Sequence, residues 1–448
     1  MSTANMRGAW RNSEEQAQLT EAFPRATSPR STGSAVVVGL GYVGLPTALS
    51  LAEAGIAVTG VDVDEDRLRA IKAQQVDLSG DDLEHLGRSL ANGRLAVTTN
   101  AAAISGADFV LISVPTPVDT HLVPDMRALT AACATVVANA VRGQTIVLTS
   151  TTYVGCTHDL IAEPLRHRNG WTVGEDVYVA FSPERIDPGV ARHDRRSTPR
   201  VVGGVTAECG RRAEEAVGNT AAAVHRVTSP ASAELTKLLE NSFRAVNIAM
   251  INEFADSCRA FGVDPIEVID AAATKPYGFM PFHPGPGVGG HCIPCDTHYL
   301  LWQLRAQRLP APLMNAAMGS IAARPRRVVD RARQLLADRG KPFAGAKVLV
   351  LGVSYKPGVA DVRESPALEI MTDLAVSGVQ ISYADPFVPA VRLGDTTLLS
   401  GVDVESEQWD LVIVHTVHPD EDPAWLSGQD SVLDTTYRLS PDLRCAHL

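Results

Sequence analysis

At 448 residues the chain is too long for one hydrophobic core, so two or three domains are expected. It is 45% hydrophobic and 20% charged, and 51 acidic against 40 basic side chains leave a net charge of −11, which argues against a nucleic-acid binder or a binder of anionic membranes. No apolar run reaches the roughly 20 residues of a membrane span, and the N-terminal segment lacks the apolar core of a signal peptide, so a cytoplasmic protein is expected.

The seven cysteines, Cys133, Cys156, Cys209, Cys258, Cys292, Cys295 and Cys445, are odd in number and scattered, unlike a disulfide framework. Cys292 and Cys295 form a C-x-x-C pair. A metal site would want a second pair of ligands, and only His291 and His298 lie near, so no metal is expected.

Residues 1–33 read as a poorly ordered tail. A strand then starts at Ser34, and β-branched runs return at Ile56–Val63, Phe109–Val114 and Thr145–Thr149, with helical patterns at Pro46–Ala54 and Arg127–Ala140. This alternation predicts a doubly wound parallel sheet. The pattern changes from Ser229 to Asp270, where Ala233, Leu235, Leu238, Leu239, Phe243 and the apolar residues up to Phe254 predict a long helix without Gly or Pro. Such a helix suits a connector and a dimer face. Past Lys341–Pro342 the α/β character resumes, with strands expected at Lys347–Gly352, Gln380–Tyr383 and Leu411–His415.

The sequence G-L-G-Y-V-G follows the first strand and opens a helix. Gly39 suits the tight turn, Gly41 lets a pyrophosphate approach the backbone, and Gly44 lets helix and strand pack closely. The helix N-terminus adds free N–H groups and a positive dipole end. Asp62 follows Gly44 by 18 residues. A carboxylate there accepts from ribose hydroxyls and repels a 2′-phosphate, which favours NAD over NADP. The bland alternative is a Gly-rich turn beside an unrelated surface Asp.

The segment P-G-P-G-V-G-G-H-C-I-P-C-D, Pro284 to Asp296, places four glycines just before a cysteine. Cys292 beside many backbone N–H donors is a candidate nucleophile. Cys133, Cys209 and Cys258, in helical contexts, read as buried apolar packing. On the long helix Lys237 and Asn241 stand four residues apart and share a face, suited to stabilising an oxyanion. Glu184, in F-S-P-E-R-I-D-P-G, is a candidate base for water, with a surface Glu–Arg pair as the alternative.

Together these segments resemble the UDP-glucose/GDP-mannose dehydrogenase family, and within it the branch acting on UDP-N-acetylhexosamines. The resemblance runs from about Ser34 to Asp434. Beside the glycine turn it rests on V-P-T-P (Val114–Pro117), T-S-T (Thr149–Thr151), S-P-E-R-I-D-P-G, T-K-L-L-E-N-S-F-R-A-V-N-I-A, K-P-Y-G-F-M-P-F-H-P-G-P-G-V-G-G-H-C-I-P and G-V-S-Y-K-P-G-V-A-D-V-R-E-S-P. It implies two Rossmann-like α/β domains joined by a long central helix and a small helical dimerisation domain: cofactor domain 34–228, central domain with the cysteine loop 229–335, and UDP-sugar domain 336–448. The implied activity is four-electron oxidation of a UDP-sugar C6 alcohol, with NAD as acceptor, through a thiohemiacetal and thioester on Cys292.

Asp296 and Lys237 would support water and oxyanion, Asn241 would add a donor, and Glu184 and Thr151 would assist proton transfer. Tyr42, Val43, Arg67, Pro115, Thr116, Ser150, Thr151 and Arg363 join the glycines and Asp62 on the cofactor side. Arg185, Lys275, Gly287, Gly289, Gly290, Tyr355 and Lys356 join Glu184, Lys237 and Asn241 on the substrate side. The chain departs from the family's pattern at Cys295 and Thr297, where an aliphatic residue and Pro are usual, and at T-T-Y-V-G-C (Thr151–Cys156). A homodimer without nucleic-acid or membrane partners is expected. Three other readings stand beside this one: a UDP-glucose dehydrogenase, a two-electron hydroxyacid-type dehydrogenase that would not need Cys292, and a nucleotide-sugar binding protein that makes no NADH.

Overall fold

The computed structural model describes residues 33–78, 80–185, 198–290, 292–419, 421–440 and 442–448, without the side chains of Asn169 and Cys292. The expected tail, apart from Gly33, and the I-D-P-G end of S-P-E-R-I-D-P-G lie outside the described residues. The chain forms two compact units. One runs up to Glu240 and takes in His298–Arg308; the other holds Asn241–Thr297 and Leu309–Leu448. The division therefore falls within two helices, Pro230–Phe261 and Cys292–Ala306.

The first unit is built on a sheet of β1 (Ser34–Val38), β2 (Ala57–Val61), β3 (Leu95–Thr98), β4 (Phe109–Ile112), β5 (Thr145–Leu148), β6 (Tyr178–Phe181), β7 (Arg200–Gly204) and β8 (Val224–Val227). Their order is β3-β2-β1-β4-β5-β6-β7-β8. Every pairing is parallel except β6 with β7. β4, β5 and β6 are buried along their whole length, because apolar layers cover both faces of the sheet. Strand order reverses between β1 and β4, so their carboxyl ends open the crevice where such sheets take ligands.

The helix Pro230–Phe261 has 32 residues and ends at Gly262, whose φ of +69° continues the chain out of the helix. Asp264 then accepts from the Ile266 N–H and starts the helix Pro265–Ala273.

The second unit's main sheet uses β9 (Lys347–Leu351) and β10 (Gln380–Ala384), then, past a hairpin of β11 (Ala390–Leu393) and β12 (Thr396–Leu399), β13 (Leu411–Val414), β14 (Val432–Asp434) and β15 (Ala446–His447). Its order is β10-β9-β13-β14-β15, all parallel, with a second reversal between β9 and β13. The expected strands at 347–352, 380–383 and 411–415 are present to within one residue. β14 and β15 are only three and two residues long, too short for any periodicity to register.

Candidate active site

The glycine turn sits at the first crevice. Gly39 has φ +88°, and a Cβ there would lie 2.3 Å from the Ser113 carbonyl at the end of β4; a Cβ on Gly44 would lie 1.8 Å from the Gly39 carbonyl. Around Gly41 nothing comes within 4 Å. The first and third glycines are thus required by the protein's own packing, whereas the space at the second is open to a ligand, as a dinucleotide cradle needs. At the end of β2, Asp62 accepts from the Leu40 N–H (2.7 Å) and the Asp64 N–H (3.0 Å), and Arg67 Nε donates to the Leu40 carbonyl (2.9 Å). Both residues brace the turn, a role the motif alone does not reveal. Val43 precedes the helix, and the half-exposed Tyr42 donates its hydroxyl to Asp77 (2.8 Å).

Pro115 and Thr116 follow β4, and Ser150 and Thr151 follow β5, at the same edge of the sheet. Ser150 Oγ accepts from the Val114 N–H (2.8 Å) and ties the two loops together. The unusual T-T-Y-V-G-C loop is held by a residue the sequence did not advertise. Glu234, buried on the long helix, accepts from the N–H groups of Gly155 (2.6 Å) and Thr157 (3.0 Å) and from the Thr157 hydroxyl (2.7 Å). Burial pushes the Cys156 thiol up to about 12, so it is an unreactive packing group. Cys133, Cys209 and Cys258 are buried and free, in keeping with their reading as packing residues.

Beyond β6, the Glu184 carboxylate pairs with Arg200, the first residue of β7. Its neighbour Arg185 pairs with Glu240 and donates to the Pro199 carbonyl (2.9 Å). Lys237 Nζ donates to the Glu184 carbonyl (3.0 Å), so the long helix is pinned to this segment by its ammonium group. Arg200 was not among the expected residues; no motif marks it, and only its place at the start of a strand put it beside Glu184.

In the second unit, Asn241 donates its side-chain N–H to Asp296, and both are buried. Asp296 lies one turn along the helix that Cys292 opens, so helical geometry sets positions 292 and 296 on one face. Cys292's own side chain lies outside the described residues, and Cys295 is buried. Three of the four glycines before the cysteine are packing necessities, whereas nothing lies within 4 Å of a Cβ at Gly285. A Cβ at Gly289 would come within 2.6 Å of the Tyr355 Cβ, and those at Gly287 and Gly290, both at positive φ, would meet Pro366 and Tyr355. The Gly290 N–H donates to the Arg363 carbonyl (3.0 Å).

Arg363 forms a two-pronged pair with the buried Asp361, at 2.9 and 2.6 Å. Tyr355 and Lys356, half-buried, lie in the loop leaving β9 at the second crevice. Lys275 is exposed, with its ammonium 4.8 Å from the centre of the Tyr277 ring. Among the described residues one set of metal-type ligand atoms gathers within 4.8 Å, from Asp434, Cys445 and His447. The Asp434 carboxylate there already accepts the N–H groups of Thr436, Tyr437 and Leu439, which bends the chain after β14.

A nucleotide cradle in one α/β unit and a second α/β unit holding the start of the cysteine helix define a two-domain NAD-dependent dehydrogenase. The chain belongs to the UDP-glucose/GDP-mannose dehydrogenase family, whose NAD binding domain matches residues 34–219, central domain 231–320 and UDP binding domain 349–437. It is similar to UDP-N-acetyl-D-glucosamine 6-dehydrogenase of Salmonella typhi, 31% identical over 85% of this chain and 89% of that one. It is 35% identical to UDP-N-acetyl-D-mannosamine dehydrogenase of Escherichia coli K12, over 75% and 80% of the two chains. Among solved structures, the UDP-D-ManNAc dehydrogenase of Pyrococcus horikoshii superposes with a TM-score of 0.83 at 28% identity, covering 92% of this chain and 98% of that one. A UDP-glucose dehydrogenase of Pyrobaculum islandicum gives 0.79 at 28% identity, covering 92% and 96%. No helix among the described residues is long and apolar enough to cross a membrane.

Proposed function

We propose that the chain oxidises the C6 alcohol of a UDP-N-acetylhexosamine, UDP-GlcNAc or UDP-ManNAc, to the carboxylate in two successive two-electron steps. The observation that carries this reading is the buried Asn241–Asp296 pair, one helical turn from Cys292. The acetamido sugar is supported by the S-P-E-R-I-D-P-G and K-P-Y-G-F-M motifs and by the substrates in the names of the similar enzymes.

Gly39–Gly44, Asp62, Arg67 and the 115–116 and 150–151 loops would hold NAD, which would supply the hydride acceptor for each oxidation. The first oxidation leaves an aldehyde at C6. The Cys292 thiolate adds to the aldehyde carbon, forming a C–S bond, and the carbonyl oxygen becomes an alkoxide that takes a proton to give a thiohemiacetal. Lys237 and Asn241 stabilise the negative oxygen at this stage. Loss of the second hydride from that carbon, and of the hydroxyl proton, yields a thioester. Asp296 orients and deprotonates the water that attacks it; the C–S bond breaks, the thiolate returns and the uronic acid leaves. Thr151 and Glu184 assist proton movement, and Glu184 and Arg185 also line the sugar side. Covalent capture keeps the aldehyde from diffusing away between the two oxidations.

The 34–228 domain binds NAD, and Arg363 is a further candidate cofactor residue; 229–335 is the dimerisation domain, and 336–448 receives the nucleotide through Tyr355 and Lys356, with Lys275 and the Gly287–Gly290 loop as further substrate contacts. The buried thiols of Cys133, Cys156, Cys209 and Cys258 fit a reducing cytoplasm. The test is NADH formed per sugar consumed, with UDP-GlcNAc, UDP-ManNAc and UDP-glucose in parallel. Two NADH per acetamido sugar are expected. One NADH would sink the four-electron assignment, and two with UDP-glucose alone would move the chain to that substrate.

A further inference from the structure

The loop that carries Tyr355 and Lys356 leaves β9 at the second crevice, and its backbone is tied down by a buried imidazole–carboxylate pair. The side chains of His418, which follows β13, and of Asp385, which follows β10, are fully buried. The Gly358 N–H points at His418 Nδ1 (3.1 Å). A backbone N–H can only donate, so Nδ1 accepts and the ring proton sits on Nε2. Nε2 then faces both Asp385 Oδ2 (3.2 Å) and Ser354 Oγ (3.1 Å). The same Asp385 oxygen accepts from the N–H groups of Val353 (2.7 Å) and Ser354 (3.0 Å), and the Ser354 hydroxyl donates to the Lys356 carbonyl (3.3 Å). The Phe387 ring stacks on the imidazole with centroids 4.6 Å apart and fixes its plane.

One imidazole thus grips the loop at Ser354 and at Gly358, on either side of the two side chains expected to meet the ligand. We propose that His418, acting with Asp385, is a positioning residue for the nucleotide-sugar half of the reaction, holding residues 353–358 so that Tyr355 and Lys356 are set in place before the nucleoside diphosphate arrives. The inference rests on the nucleotide-sugar reading above. Its physical reason is preorganisation: a loop already fixed loses little conformational freedom on binding, and a buried polar network specifies one backbone arrangement where apolar packing would tolerate several.

The experiment uses the full chain with His418→Phe, which keeps a ring of similar size and removes both nitrogens. Amide exchange of Ser354 and Gly358 is followed without ligand, UDP affinity by calorimetry, and KM and kcat by NADH release. Exchange at these two amides is expected to rise about tenfold, and the Kd for UDP and the KM for the UDP-sugar about tenfold, as loss of buried hydrogen bonds implies. The KM for NAD and kcat stay within about twofold. His418→Gln, which restores a donor near the Nε2 position, recovers part of the UDP affinity. Val412→Ala, a cavity in β13 away from the loop, destabilises the domain without changing UDP affinity. Should His418→Phe fail to fold, Asp385→Asn carries the same readouts.

Unchanged exchange at Ser354 and Gly358 overturns the proposal. So does unchanged UDP affinity in the folded variant, or an equal loss in Val412→Ala. An unsubstituted protein that binds NAD but not UDP would instead sink the nucleotide-sugar reading itself, and that result shows before any variant is made.

Discussion

Arg200 and Glu184 form an ion pair whose side chains are only 6% and 13% exposed, so each charge depends on the other for the solvation it has lost. Glu184 Oε1 also accepts from the Arg185 N–H (2.9 Å), and its carbonyl takes the Lys237 ammonium. The pair therefore sets where Lys237 sits. Arg200→Met is expected to cost about 3–5 kcal/mol, because it strands a buried carboxylate. Arg200→Met combined with Glu184→Leu should recover most of that loss. Urea denaturation of the two single variants and the double variant checks this, and additive losses would show that the two residues are not coupled.

Gly44 and Gly41 of the turn are expected to fail in different ways. Gly44→Ala puts a methyl 1.8 Å from a backbone oxygen, so it lowers stability even without ligand. Gly41→Ala meets nothing within 4 Å. Its unfolding midpoint should match the parent while the KM for NAD rises about tenfold or more, as for a methyl placed where a pyrophosphate must touch the backbone. A Gly41→Ala protein with ordinary NAD affinity would mean that the cofactor does not lie over this turn.

Acid sensitivity should come from the second unit. Burial pushes His415 down to about 4, so the unfolded chain takes up a proton before the folded one does. The resulting stability is complete above about pH 6.5 and is lost as the pH falls towards 4, on the order of 3 kcal/mol in all. At Asp385 burial pushes the carboxyl up, but the His418 hydrogen bond and the Val353 and Ser354 N–H groups prevail and hold it at about 2. That contribution, roughly 2 kcal/mol, is present above about pH 4 and is lost only between there and pH 2. Thermal unfolding at pH 7, 5 and 3 should show two stages, and His415→Leu should remove the first.

Much of this was legible in the chain. The β1 to Gly44 unit was readable because strand, turn and helix N-terminus each leave a local signature. So was the long helix, whose apolar residues recur over many turns. The short strands β14 and β15 were not, having too few residues for any pattern. Partners such as Arg200, Glu234 and His418 were also hidden, because each acts on a residue far away in sequence. Arg200 lies 16 residues from Glu184, and Glu234 lies 77 from Thr157. Lys237 and Asn241 were recognised as sharing a helical face, but their acceptors, a backbone carbonyl and a buried carboxylate, follow only from tertiary packing.

The long helix also carries a stripe of exposed apolar side chains, Leu235, Leu239, Phe243, Met250 and Phe254, spaced by four or seven residues, with Leu239 68% exposed. An expected homodimer would cover it. Leu239→Glu should shift sedimentation from dimer to monomer with the helical circular dichroism retained. A parent chain that sediments as a monomer would remove this role from the helix.

The Asn241–Asp296 pair separates the two halves of the proposed reaction. Asp296→Asn keeps the shape of the buried site and removes the carboxylate that activates water. Hydride loss and thiol addition do not need that carboxylate, whereas thioester hydrolysis does. A rapid burst of up to two NADH per active site should therefore persist, followed by turnover slowed about a hundredfold or more. Mass spectrometry of the denatured protein should then find the sugar attached to Cys292. Asn241→Ala leaves Asp296 buried without its amide donor, so it should lower stability by about 1–3 kcal/mol and slow both phases. An Asp296→Asn enzyme that loses the burst along with turnover would place Asp296 before the thioester and would reassign the water-activating step.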